Sequence, residues 1–230
     1  MTFLFPPHPT SVIPVQDNDR AFPVHRIYCV GQNYGDHVKE MGGDPRENPP
    51  VFFSKPSDAV VIGNQPVTYP PATSDLHYEV ELVVALASGG SDIGVEEALA
   101  RVFGYAVGID FTRRDLQAEA KKEGRPWDAA KGFDQSAPTS AIRSKNEDDH
   151  PLEGRISLSV NGETRQDAML SDMIWSVPEI ISELSKYYEL KAGDLIFTGT
   201  PAGVSAVVAG DQISAEIEGV GEMNFVLVAG

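Results

Sequence analysis

The sequence predicts a single α+β domain, rich in strands and carrying a few amphipathic helices. Three observations lead there. Short apolar runs recur between glycine and proline turns, as at residues 26–31, 51–54 and 105–110. Asn161-Gly162 separates two alternating runs, residues 155–160 and 163–167, and such a pair is the strongest two-residue hairpin signal in the chain. Only a few windows carry helix-start signals, chiefly Thr112-Arg113-Arg114-Asp115 and Ser176-Val177-Pro178-Glu179, both of the capping-box kind. The chain of 230 residues shows no internal repeat, low-complexity run or break in composition.

Taken in order, residues 1–25 hold Pro6, Pro7, Pro9, Pro14 and Pro23 and little periodicity. They predict an extended arm lying on the surface, which can carry one short edge strand. Residues 26–31 predict a buried strand ending at Gly31. In residues 33–43, Asp36 can cap a short helix and Gly42 can end it, which puts His37 and Glu40 on one face. Residues 51–54 and 59–63 predict short strands around Lys55-Pro56, and Tyr69-Pro70-Pro71 punctuates the chain before a strand over 76–84. A helix from Ser91 or Asp92 to Arg101 precedes the strand that ends at Asp110. The Thr112 helix runs to about Glu123, stopped by Gly124 and Pro126, with Arg114, Gln117 and Lys121 along one stripe. Residues 127–138 are irregular and contain Lys131. The Ser176 helix continues to Tyr187 or Tyr188, and strands over 194–198, 212–218 and 222–228 close the chain.

The net charge of −16 argues against nucleic acid or an anionic membrane as partner. It leaves an anionic substrate open, because the potential inside a pocket can differ from that of the whole molecule. The single cysteine, Cys29, excludes an intramolecular disulfide and suits a reducing compartment. No apolar run approaches the roughly 18–20 residues of a membrane helix, and no signal-peptide pattern opens the chain. The expectation is a soluble cytoplasmic protein.

The chemistry centres on residues 76–84. Read as a strand, they place Tyr78, Val80, Leu82 and Val84 on one face and His77, Glu79 and Glu81 on the other. The apolar run that follows suggests burial, and buried like charges need a cation or a proton to compensate them. A hard divalent metal would do so, with Asp110 as a third oxygen ligand. The plainer reading is two exposed glutamates and an aspartate that caps the next helix; spacing alone does not decide between them. His37 and Glu40 can act as a base and its orienter, or as an ordinary surface pair. Lys55, Arg114 and Lys131 can each hold a substrate carboxylate, though singly each is more often solvated. Gly199-Thr200-Pro201-Ala202-Gly203 can cradle an anion through its N–H groups, but it lacks the Lys-Ser/Thr of a phosphate loop.

Together the pieces resemble a known family. Tyr28-Cys29-Val30-Gly31-Gln32-Asn33-Tyr34, Asp36-His37, Lys55-Pro56, His77-Tyr78-Glu79-Val80-Glu81-Leu82, Gly108-Ile109-Asp110 and Gly199-Thr200-Pro201-Ala202-Gly203-Val204 are similar, in that order, to the fumarylacetoacetate hydrolase superfamily. The resemblance is greatest to its fumarylpyruvate hydrolase and acylpyruvase branch. Many relatives carry arginine where this chain has Gln32. The resemblance implies a mixed β-sheet roll of the fumarylacetoacetase C-terminal-like type, spanning residues 26–230 after an arm of residues 1–25, and a homodimer. It implies Mg²⁺ or Mn²⁺ bound by Glu79, Glu81 and Asp110, a catalytic dyad of His37 and Glu40 on a lid, and an active-site Lys131. It also implies substrate contacts from Lys55, Arg114, Gln117 and Thr200, with Gln117 serving the oxyanion.

The activity implied is cleavage of the C–C bond of a 3-acylpyruvate, fumarylpyruvate in aromatic (gentisate) breakdown above all. The substrate partner is then a small anionic 2-oxo acid. The rivals are an oxaloacetate decarboxylase, a 2-hydroxy-dienedioate isomerase or decarboxylase, and, remotely, a binding module without activity.

Overall fold

In the computed structural model, residues 2–35, 49–145, 149–151 and 153–230 are described. His37 and Glu40 lie outside the described residues. All seven residues of the strand Val80–Leu86 are buried, and it stands near the middle of an eight-stranded mixed sheet. Across that sheet the order is Val51–Lys55, Ile27–Gly31, Leu195–Phe197, Val80–Leu86, Val102–Ile109, Ala137–Thr139 and Val60–Ile62, with Arg143–Ser144 also pairing to Val102–Ile109. Ile27–Gly31 runs parallel to Leu195–Phe197, and Ala137–Thr139 parallel to Val60–Ile62; the other pairings are antiparallel.

A second sheet of five strands comprises Glu163–Met169, Arg155–Val160, Gln212–Ile217, Gly221–Val228 and Val67–Thr68. Its inward residues Ile156, Leu158, Ile213, Met223 and Phe225 join Leu82, Val84, Val107 and Ile109 of the first sheet in one core. The helix Val177–Ser185 closes that core with Ile180, Ile181 and Leu184. The result is a curled, mostly β fold with a few peripheral helices, as expected.

The opposite face of the central sheet is covered as well. Val83, Ala85, Ala106 and Phe197 pack there against Ile13, Val15, Phe22 and Val24. Those four come from the proline-rich N-terminal segment, whose strands Val12–Pro14 and Ala21–Pro23 pair antiparallel. Proline spacing suggested a surface arm; the alternating apolar residues instead anchor the segment, each burying area at roughly 25 cal/mol per Å².

Local signals with local causes hold. Asn161 and Gly162 form the expected turn with φ values of 52° and 81°. The Ser176 N–H and hydroxyl both donate to Glu179 Oε2, at 2.8 and 2.7 Å, at the start of the Val177–Ser185 helix. Gly124 ends the helix Arg114–Glu123 in the left-handed conformation at φ 65°. Three expectations need correction. Thr112 caps no helix: Thr112–Arg113 is a strand, and the Asp115 carboxylate accepts from Thr73 Oγ1 at 2.7 Å and from the Ser74 N–H at 3.1 Å. Residues 127–138 are not wholly irregular, since Asp128–Lys131 forms one helical turn. The strand over 76–84 is interrupted, because Leu76–His77 pairs with Thr112–Arg113 and Ala206–Val207 in a separate three-stranded sheet. The chain crosses between sheets at Tyr78 and Glu79.

Candidate active site

Register brings the three acids together. Glu81 pairs with Gly108 and Val80 with Ile109, and one step on the Asp110 N–H donates to the Glu79 carbonyl at 2.8 Å. Residues paired across an antiparallel ladder point to the same face, as do residues two apart on each strand. Glu81, Glu79 and Asp110 therefore converge, and ligand oxygens from the three lie within 4.8 Å of one another. Opposite Glu81, Gly108 leaves space for core side chains: a Cβ there would stand 2.4 Å from Val83 Cγ2 and 2.6 Å from Phe197 Cε1. All three acids are buried, so the exposed reading does not hold.

Cations compensate two of the acids. Lys131 Nζ lies 2.8 Å from Glu79 Oε2 and 2.7 Å from Asp110 Oδ2. Lys55 Nζ lies 2.8 Å from Asp110 Oδ1 and also donates to the carbonyls of Phe111 and Lys131. Arg114 Nη2 donates to Glu79 Oε1 at 2.5 Å, while its Nη1 donates to Gln117 Oε1 at 2.7 Å. Burial alone would raise the Glu79 pKa, but Lys131 and Arg114 outweigh it and hold the group at about 2. For Lys131 burial opposes the charge, and Asp110 and Glu79 reverse that, so its pKa rises.

Glu81 is different. Among the described residues it has no ion-pair partner; Gly199 N–H donates to its Oε2 at 2.8 Å. Burial first, then the Asp110 and Glu79 charges, push its pKa well up. A buried carboxylate short of positive charge, beside two more carboxylates, is the environment a hard cation relieves. The donor set is all oxygen, which suits Mg²⁺ or Mn²⁺. The residues present fit such an ion.

The expected substrate contacts divide into two groups. Arg114, Gln117, Lys131 and Thr200 line a cleft above the acids, together with Gln32, Phe53, Lys121 and Trp127. Lys55 stands behind Asp110, its ammonium directed at that carboxylate and at two carbonyls, so it braces an acid. The Gly199 turn gives its first N–H to Glu81, which is not the free anion cradle the glycine spacing suggested.

Several residues to which the sequence assigned no role hold this geometry. Buried Gln166 accepts from the Val80 N–H at 3.0 Å and donates to Thr200 Oγ1 and the Pro201 carbonyl, both at 2.8 Å. It ties the acidic strand to the turn that carries Thr200. Buried Asn33 donates to the carbonyls of Trp175 and Thr198 at 2.9 and 2.8 Å and accepts from the Trp175 N–H at 2.7 Å. His77 accepts from Arg114 Nε at 3.4 Å and donates through Nε2 to Asp75 Oδ1 at 2.9 Å, which steadies the guanidinium. None of these pairings leaves a local sequence signal.

A model of the fumarylacetoacetate (FAA) hydrolase C-terminal domain matches residues 26–228. The chain belongs to the fumarylacetoacetate hydrolase family. Among family members, a mitochondrial oxaloacetate tautomerase from Rattus norvegicus is 48% identical over 199 residues, covering 86% of this chain and 90% of that protein. A fumarylpyruvate hydrolase from Ralstonia sp is 44% identical over 179 residues, covering 75% of this chain and 90% of the relative. The crystal structure of fumarylpyruvate hydrolase from Pseudomonas aeruginosa in complex with Mn²⁺ and pyruvate superposes with a TM-score of 0.96 at 46% identity, covering 100% of both chains. This family member therefore has a carboxylate cluster able to hold a metal and the fold of a family enzyme.

Proposed function

We propose that the protein is a divalent-metal-dependent hydrolase that cleaves the C–C bond of a 3-acylpyruvate, with fumarylpyruvate as substrate and fumarate and pyruvate as products. One observation carries the reading: buried Glu81, short of positive charge, completes a trio of acids at the base of a cleft lined by Arg114, Lys121 and Lys131. Three carboxylates there face Lys55, Arg114 and Lys131, so a bound divalent cation adds charge that a dianionic 2-oxo acid balances. The likeness to the Pseudomonas aeruginosa hydrolase supports the choice of reaction.

Glu79, Glu81 and Asp110 would hold the ion, and Lys55 and Lys131 fix the carboxylates around it. When bound, a divalent ion there supplies Lewis-acid polarisation of the 2-oxo acid end and offsets the charge that grows on it. His37, oriented by Glu40, takes a proton from water as the water adds to the distal acyl carbonyl. Gln117 gives its amide oxygen to Arg114, which leaves its NH₂ as donor to the developing oxyanion; such a donor is typically worth about 2.7–4 kcal/mol. The bond between the acyl carbon and the methylene of the pyruvate half then breaks. Its electron pair leaves with the pyruvate enolate, which takes up a proton to give pyruvate. Lys131 and Arg114 offset charge at the anchored end, and Thr200, held by Gln166, hydrogen-bonds the substrate.

With this proposal go a catalytic unit of residues 26–230 following the segment 1–25, a homodimer, a cytoplasmic location and a place in aromatic breakdown. Either Mg²⁺ or Mn²⁺ serves.

The second reading is oxaloacetate tautomerisation, favoured by the name of the Rattus norvegicus relative. It needs proton transfer but no attack by water. Product analysis separates the two. Fumarylpyruvate should yield fumarate and pyruvate in equal amounts; faster oxaloacetate enol–keto exchange without cleavage of any acylpyruvate would replace the hydrolase reading.

A further inference from the structure

We infer that Lys121 is the subsite for the distal carboxylate of the substrate and selects long dicarboxylate acylpyruvates over monocarboxylate ones. The inference rests on the hydrolase reading above and names the substrate feature that the cleft reads. Lys55, Lys131 and Arg114 all direct their charge at Glu79 or Asp110. Lys121 also lines the cleft, yet among the described residues it has no carboxylate within ion-pair distance. Its ammonium lies 5.0 Å from the centroid of the Trp127 ring, itself a wall of the cleft. That cation–π contact holds the flexible side chain in place without neutralising it. Burial, then repulsion from Arg114, lower its pKa, as befits a cation waiting for a counter-ion. In a protein of net charge −16, a cation inside a cleft with no ion-pair partner among the described residues is the feature an incoming anion meets.

Position on the helix sets the length of that anion. Arg114, Gln117 and Lys121 share one stripe of the Arg114–Glu123 helix. Seven residues of helix separate Arg114 from Lys121 by about 10 Å along the axis. Arg114 touches Glu79, so one end of that span is at the acids and the other is at Trp127. Both carboxylates of oxaloacetate would stay near the acids. The extended chain of fumarylpyruvate carries its second carboxylate along the helix toward Lys121.

The test is calorimetric titration of Mn²⁺-loaded protein with 2-oxoheptanedioate and 2-oxoheptanoate. Neither has the second carbonyl that hydrolysis needs, and they differ in the distal carboxylate alone. The wild type should bind the diacid about tenfold more tightly, the worth of one charged hydrogen bond. Lys121→Met should erase that preference by weakening the diacid and leaving the monoacid unchanged, and Lys121→Arg should restore most of it. In turnover, the Lys121→Met KM for fumarylpyruvate should rise about tenfold with kcat little altered, while acetylpyruvate kinetics stay the same. A wild type indifferent to the second carboxylate, or a variant that keeps the preference or weakens both ligands alike, overturns the inference. Because these ligands are not turned over, absence of fumarylpyruvate hydrolysis would count against the reaction and not against the subsite.

Discussion

His37→Ala should lower kcat for fumarylpyruvate hydrolysis by about 10²–10⁴-fold, the usual worth of a positioned general base. Metal affinity should be unchanged, because the acids that would hold the ion are Glu79, Glu81 and Asp110. Glu40→Gln should have a smaller effect in the same direction, since Glu40 acts through the imidazole. The measurement is steady-state release of pyruvate alongside a calorimetric titration with Mn²⁺. Undiminished turnover in His37→Ala would remove the proposed base, and parallel loss of metal binding would mean that the substitution had disturbed the acids instead.

The second large effect belongs to Glu81→Gln, and it has opposite signs for activity and stability. Glutamine keeps the shape and can still accept the Gly199 N–H through its oxygen, but it removes a charge that burial, Asp110 and Glu79 all disfavour. An acid whose pKa is raised by folding is most at ease protonated, so its ionised form costs stability as pH climbs from the unfolded pKa toward the folded one. At neutral pH the metal-free variant should therefore be more stable than metal-free wild type. A gain of roughly 1 kcal/mol would appear as about 2–4 °C in Tm for a chain of this size. The wild type should gain Tm on adding Mn²⁺, because an ion that binds only the folded state stabilises it. The variant should lose that gain together with hydrolysis. A metal-free variant less stable than wild type, or one that keeps the full Mn²⁺ shift, would mean that Glu81 is already compensated without an ion.

The parts of the molecule legible in the sequence are those whose causes are local. Asn161-Gly162 imposes its own turn, and Ser176 and Glu179 meet across one turn of helix. Glu79 and Glu81 share a face because strand side chains alternate. What was hidden depends on partners far along the chain. Gln166 reaches Val80, 86 residues away, and Lys55 reaches Asp110, 55 residues away. Nothing in their neighbours marks them as buried. The N-terminal prolines hid alternating Ile13, Val15, Phe22 and Val24, whose burial is imposed by the sheet they cover. The box at Thr112 failed because strand pairing with Leu76–His77 competed for the same residues and won. Lys121 stood on the right stripe, but that it has no ion-pair partner among the described residues shows only once Arg114 and Lys131 are seen to be engaged.

The account's central claim is that the acid trio holds a divalent ion on which hydrolysis depends. The most direct measurement is release of fumarate and pyruvate from fumarylpyruvate by chelator-stripped protein, titrated back with Mn²⁺ or Mg²⁺. Activity should be absent without the ion and return with one equivalent per chain, fumarate and pyruvate appearing together. Full activity in the stripped protein would contradict the account.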